Sequence, residues 1–229
     1  MRSEPVLTTR HEDGWDIPIL VWRLATPALA ISSGPLGGGL GVRHWALNAT
    51  VPMSYRRPDP DVHLAELADR LDLRGPGIGL LTGVDVAEVV TATDGGVRVW
   101  ATVGLGTPIW AAVPADGDPE STPARPAVGT VNIVARLPVR LGEAALVNAV
   151  MTITEAKAQA LRELGLPATG TPTDAVAVLC PPDGPAEPYG GPRSRWGAPL
   201  ARAARQAVWV GGSAPCVPWS DRPPRAARR

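Results

Sequence analysis

Lys157, in the stretch TITEAKAQAL (152–161), is the one lysine among 22 basic residues; the other 21 are arginines. On a solvated surface either cation serves, so a single retained ammonium points to a task that a guanidinium cannot perform. A compact ammonium can release its proton when desolvated, and it donates from a point rather than from a planar fork. Advancing about 100° per residue along the helix places Lys157 on an apolar arc with Leu146, Val147, Val150, Met151, Ile153, Ala158, Leu161 and Leu164. Its stem could pack there while the ammonium snorkels to the helix edge, but an arginine would snorkel equally well. We therefore expect the ammonium to be held inside, toward the turn TGTPTD and the carboxylate of Asp174, where it transfers a proton or stabilises an oxyanion.

Five small-residue turns could complete such a site: SSGPLGGGLG (32–41), LLTGVD (80–85), TVGLGTP (102–108), GTVN (129–132) and ATGTPTD (168–174). Glycine lets a ligand approach the backbone, and neighbouring hydroxyls and N–H groups supply hydrogen bonds. One such turn is an ordinary connector. Five, each at the end of an apolar run, point to a polar-lined cleft contributed by Ser32, Ser33, Gly38, Gly39, Thr82, Asp85, Gly104, Gly106, Thr169, Gly170, Thr171 and Thr173. Asn48 and Asn132 stand inside apolar runs, where asparagine is depleted. Each is either a buried amide tied to backbone or a site ligand, and for Asn132 we favour the ligand.

The elements that must position these groups are readable from periodicity. Apolar runs at 17–24, 28–33, 44–51, 77–84, 97–105, 128–137 and 174–180 read as strands. TDGGV (93–97) carries the Asp-Gly signal of a tight hairpin, so 86–92 pairs back onto 97–103 or first forms a short helix. Helical periodicity appears in DPDVHLAELADRLDL, with Asp59 at the N-cap and Pro60 in the first position, in 141–165, with Gly165 suited to the C-terminal cap, and in 197–212. Together they predict one α/β (α+β) layered domain over 1–214: a mixed sheet of six or more short strands, covered by two or three helices, with the turns gathered at one sheet edge. Residues 215–229 are expected to form a flexible or loosely docked tail.

Composition removes several classes of function. Acidic and basic residues balance at 22 each, and the arginines are scattered apart from the terminal RPPRAARR, so nucleic acid has no electrostatic footprint. No run approaches the ~18 apolar residues of a membrane span, and the first residues lack the apolar core of a secretion signal. Cys180 and Cys216 are far apart, which suits a reducing compartment and a cytoplasmic protein. His11, His44 and His63 sit in unrelated contexts, so neither a metal site nor a resident cofactor is expected. There is no Gly-x-Ser-x-Gly elbow and no Gly-Lys-Ser/Thr phosphate loop. Assembly into a homo-oligomer is left open.

The succession SSGPLGGGL, Asn48 with Val51-Pro52, GLLTGVDV, ATVGLGTP, GTVNIV, TEAKAQAL, TGTPTDAVAV and YGGP…WG resembles the adenosylcobinamide amidohydrolase family of corrinoid salvage, in the family's order over residues 25–211. The resemblance implies hydrolysis of the amide that joins the aminopropanol arm to the corrin ring, yielding adenosylcobyric acid; the cobalt belongs to this small-molecule substrate. The sequence departs from the family pattern at Gly37, where the family has Asn, and at Pro172, in a turn that usually reads TGTGTD. Amide hydrolysis needs a nucleophile, proton handling and oxyanion donors. Without a metal cluster these fall to Thr130 as nucleophile, to Asn132 and turn N–H groups as donors, and to Lys157 and Asp174 as the proton-handling pair. Glu155 is a further candidate, although it shares the polar side of the helix with Asn148, Thr152, Gln159 and Arg162, where a solvated face is the alternative. A shorter stretch, GTVNIV through TGTPTDAVAV, is similar to self-processing aminopeptidases of the DmpA type, which implies Thr130 as an N-terminal nucleophile released by scission after Gly129. A non-catalytic corrinoid-binding module and a self-processing amidase or peptidase are the alternatives.

Overall fold

Most strands bury side chains on both faces, and that decides the layering. The structure, a computed structural model, describes residues 4–12, 14–112 and 129–221. Among them are eight strands, β1 (Val6–Glu12), β2 (Trp15–Ser32), β3 (Gly39–Thr50), β4 (Gly77–Thr82), β5 (Val90–Asp94), β6 (Val97–Leu105), β7 (Gly129–Arg136) and β8 (Ala175–Cys180), and three α-helices, α1 (Pro60–Arg70), α2 (Glu143–Glu163) and α3 (Gly197–Gly212). They form one mixed sheet in the order β4-β3-β2-β8-β7-β6-β5, with β1 on the first half of β2. The β3–β4 and β7–β8 pairs are parallel and the others antiparallel. The α+β class and single layered sheet expected from the sequence are what the structure has.

Alternation along the strands gives four layers. On β2, Ile19 and Val21 pack with Leu64 and Leu67 of α1, while Leu20 and Trp22 face the other way and join Trp100, Val134 and Ala177. On β7, Val131, Ile133 and Ala135 pack beneath Leu146, Ile153 and Leu200 of α2 and α3. Strands four steps apart in the sheet therefore share an inner layer: Asn48 of β3 reaches Thr102 of β6, with the amide donating at 3.0 Å. The sheet doubles back on itself, with α1 outside one half and α2 and α3 outside the other.

β2 makes the fold-back possible. Two short strands were expected at 17–24 and 28–33; one 18-residue strand joins them, with a register shift between Arg23 and Ala28. Pro27 lies in that shift, where its missing N–H breaks no ladder. The strand pairs with β1 before the irregularity and with β8 after it. β1 itself was not expected, since only Arg10 of its seven residues is buried.

The hairpin at 94–97 forms with Gly95 and Gly96 both at positive φ, and a single 3-10 turn at Val86–Glu88 precedes β5, so both anticipated features occur together. Asp59 and Pro60 open α1 as expected, although the Asp59 carboxylate accepts from Arg57 rather than capping the helix. Gly165, at φ 77°, follows the end of α2. The buried stripe of α2 is rotated from the expected arc. Ala145, Ala149, Ala156 and Ala160 are buried, whereas Val147 and Met151 are half exposed. Small residues on that stripe let the helix sit close, and Thr152, expected on the polar side, is buried with its hydroxyl donating to the Gly190 carbonyl at 2.9 Å. In the C-terminal segment, the Trp219 N–H donates to the Gly83 carbonyl at 3.0 Å and its ring meets Trp15 edge-on; residues 222–229 lie outside the described ones. No helix among the described residues is long and apolar enough to cross a membrane.

Candidate active site

β7 and β8 run parallel with Asn132 opposite Ala175, so their N-terminal ends lie side by side. The turn that leads into β8 thus comes against Gly129 and Thr130 at the start of β7, and α2 crosses above with Lys157. Asp174 sits at the junction. Its carboxylate accepts the Val131 N–H at 2.8 Å, the Thr171 N–H at 3.1 Å, the Thr171 hydroxyl at 2.5 Å and the Lys157 ammonium. The two ion-pair side chains keep only 10% and 12% of their exposure. Glycine is required beside them: a Cβ on Gly170 would stand 2.5 Å from Asp174 Oδ2 and 2.6 Å from Lys157 Nζ.

Three threonine hydroxyls adjoin the pair. Thr130 Oγ1 and Thr173 Oγ1 are 2.6 Å apart, and the Gly129 carbonyl oxygen lies 2.7 Å from the Thr171 hydroxyl and 3.0 Å from that of Thr173. Each hydroxyl has one proton. If Thr171 gives its proton to Asp174, the shorter contact, then Thr173 serves Gly129 and Thr130 must donate to Thr173. Thr130, Thr171 and Lys157 each retain a little accessible surface, 8–9%. A fixed cation, a carboxylate and a row of hydroxyls at the end of two central strands form an arrangement suited to acyl chemistry.

The sequence profile of the adenosylcobinamide amidohydrolase family matches residues 5–214. An adenosylcobinamide amidohydrolase of Methanosarcina mazei is 30% identical over 191 residues, 80% of this chain and 88% of that one. Another, of Halobacterium salinarum, is 38% identical over 196 residues, 82% of each. The chain belongs to the adenosylcobinamide amidohydrolase family. Among solved structures, the PH0078 protein of Pyrococcus horikoshii aligns over 90% of this chain and 82% of its own at 10% identity, with a TM-score of 0.47.

Within this family member the candidate residues separate into those gathered at the ion pair and those that are not. Lys157, Asp174, Thr130, Thr171, Thr173 and Gly170 meet there. Thr169 ties in the segment that follows β6: its N–H donates to the Ile109 carbonyl at 2.9 Å and its hydroxyl accepts from the Ala111 N–H at 3.0 Å. Gly104 pairs with Thr130 across the β6–β7 ladder, and Gly106 follows at the strand end. Ser33, exposed, accepts the Val176 N–H at 3.0 Å and so joins the 32–41 turn to the start of β8, while Ser32 is buried and caps Gly34. Gly38 and Gly39 are exposed where β2 turns into β3.

Four expectations need correction. Asn132 was expected to donate to an oxyanion, but both its amide hydrogens are used, to Asn48 Oδ1 and to the Leu81 carbonyl, each at 2.9 Å. Flipping the amide would turn oxygen toward two acceptors, so this orientation is fixed; only its buried Oδ1 lacks a partner. Asn48, also 2% exposed, belongs to the same interior chain and not to a cleft. Thr82 and Asp85 are buried and occupied with their own turn, accepting from the Val84 and Ala87 N–H groups. Glu155 is exposed on the outer face of α2, the solvated alternative. Gly37, where the family pattern has Asn, has φ 67°, and a Cβ there would strike the Gly77 carbonyl. Thr107, which lies where a Cβ on Gly129 would fall, and the Ile109–Ala111 strap were missed; the TPIW continuation of the third turn was their one signal.

A second buried polar group lies apart, where α1 meets β1. His63, 1% exposed, has Nδ1 3.1 Å from the Tyr55 hydroxyl and Nε2 3.5 Å from Glu12, whose other oxygen accepts from Arg10 at 2.7 Å. Burial pushes the His63 imidazole below its ordinary value. For Glu12 burial works upward, but the Arg10 hydrogen bond and charge outweigh it and hold the carboxyl low. Among the described residues no three His, Cys, Asp or Glu side chains come together as metal ligands.

Proposed function

We propose that the chain hydrolyses the amide of the aminopropanol arm of adenosylcobinamide, releasing adenosylcobyric acid and the amino alcohol. One water is consumed: a carbon–oxygen bond replaces the carbon–nitrogen bond, and the leaving nitrogen takes a proton. Family membership supports the reaction, and the buried Lys157–Asp174 pair beside Thr130 is the observation that supports its placement.

Asp174 fixes the ammonium, which carries three N–H bonds and spends one on the carboxylate. The others are aimed at charge that develops on the amide oxygen, or deliver the proton to the leaving nitrogen. Thr130, oriented by the Thr173 hydroxyl, attacks the amide carbon; its proton replaces the one the ammonium gives to the leaving nitrogen as the carbon–nitrogen bond breaks and an ester forms. Water then hydrolyses that ester, releasing the acid and restoring the Thr130 hydroxyl. The hydrogen bonds that hold Asp174 come mainly from backbone, so the cation is in position before substrate arrives. No resident metal or cofactor is assigned a step, and the corrinoid cobalt enters and leaves with the substrate. The buried Cys180 thiol is consistent with a reducing compartment and with work in the cytoplasm.

Incubating the purified chain with adenosylcobinamide and resolving products by mass-detected chromatography tests the reading. Adenosylcobyric acid should accumulate with protein concentration. Retention of intact corrinoid without product would favour a binding module instead.

A further inference from the structure

All eight tryptophans lie among the described residues, and seven have evident partners. Trp22 and Trp100 meet edge-on in the inner layer, Trp45 donates to the Gly75 carbonyl, Trp15 meets Trp219, and arginine guanidinium groups cover Trp196 and Trp209. Among the described residues no ring or cation lies against Trp110, which is 51% exposed beside Ile109 at 38%.

Its backbone is nevertheless firmly held at the candidate site. Ile109 bridges to Gly170, donating to its carbonyl at 2.8 Å, and Ala111 donates to the Thr169 hydroxyl at 3.0 Å. Gly170 lies directly against Lys157 and Asp174. A large flat apolar ring is thus carried on backbone anchored beside the turn that wraps the ion pair, and half of its residue's surface is exposed. Leaving that surface wet is unfavourable in the free protein. A ligand with a flat unsaturated surface would cover it.

We propose that Trp110 is a stacking platform for the flat, conjugated part of the corrinoid, holding the substrate while its amide arm reaches Lys157. This rests on the corrinoid reading above. Two surfaces of the substrate share the required chemistry, the adenine of the upper ligand and the conjugated rim of the macrocycle, and both stack on indole.

The test uses Trp110→Ala and Trp110→Phe, with Trp209→Ala as a control for losing an exposed tryptophan elsewhere. Affinity for adenosylcobinamide and for cyanocobinamide is read by rapid ultrafiltration with corrinoid absorbance, and product is quantified separately by mass. Trp110→Ala should weaken binding about tenfold, equivalent to ~1.4 kcal/mol, and raise KM with little change in kcat. The phenyl variant should recover most of the loss. Weakening toward both corrinoids assigns the macrocycle as partner, and weakening confined to the adenosyl form assigns the adenine. Parental affinity in Trp110→Ala for both, or a parent chain that binds neither, overturns the proposal. Binding that depends on Trp110 without any product would leave the platform standing and remove the hydrolase reading; product formed by a Trp110→Ala chain of parental affinity would do the reverse.

Discussion

Removing either partner of the Lys157–Asp174 pair should not cost the same. In Lys157→Met, the Asp174 carboxylate keeps three donors, the Val131 and Thr171 N–H groups and the Thr171 hydroxyl. The loss should resemble that of one charge-assisted hydrogen bond, about 1–3 kcal/mol. In Asp174→Asn, the ammonium stays buried without its counter-charge, and an amide NH2 is forced against some of the same donors. Breaking a buried pair from that side costs about 3–5 kcal/mol. At roughly 2–4 °C per kcal/mol for a chain of this size, the midpoints should fall by about 2–12 °C for Lys157→Met and about 6–20 °C for Asp174→Asn. Thermal unfolding followed by circular dichroism, with urea unfolding as a cross-check, measures both. A Lys157→Met protein as unstable as Asp174→Asn, or more so, would show that the carboxylate is not held by the backbone network and would refute this reasoning.

Three further outcomes follow from the same geometry. Intact-mass measurement should find the chain uncut between Gly129 and Thr130, because both residues pair in register with Leu105 and Gly104 as continuous strand; two fragments meeting at that bond would instead establish Thr130 as a terminal nucleophile. Stability should decline as pH falls below about 6.5, since the unfolded chain then protonates His63 while the folded chain resists it until lower pH; the decline should flatten in His63→Gln, and an unchanged slope in that variant would assign the acid sensitivity to other groups. Turnover should survive prolonged chelation, as the described residues assemble no ligand set, and a rate lost to chelator and restored by zinc would contradict that.

Local features were legible in the sequence because their causes are local. The Asp94-Gly95 hairpin, the bounds of α3 and the glycine after α2 are set by residues within one turn of the chain. Lys157 was readable for a different reason: a lone lysine on an apolar arc demands a partner, and Asp174 stood at the entry to a strand. What remained hidden depends on strands brought together from far apart. Nothing in β2 alone says that its two apolar runs are one bent strand, since Pro27 reads as a break until β1 and β8 occupy opposite ends. The hydrogen bonds of Asn132 run to residues 84 and 51 positions away, so its donors could not be known to be spent. The buried stripe of α2 departs from the arc its large side chains mark because alanines carry much of it, and close packing against a neighbouring helix favours small residues.

The central claim, that Lys157 acts as an ammonium no other cation can replace, is tested most directly by the single-turnover rate of Lys157→Arg on adenosylcobinamide. The variant keeps the charge and can still pair with Asp174, but its guanidinium is broader and effectively holds its proton throughout. The predicted result is a folded protein whose single-turnover rate is reduced by two or more orders of magnitude, the scale of a lost acid–base or oxyanion group. A folded Lys157→Arg protein that turns over at near-parental rate would contradict the mechanism and leave the lone lysine as an accident of composition.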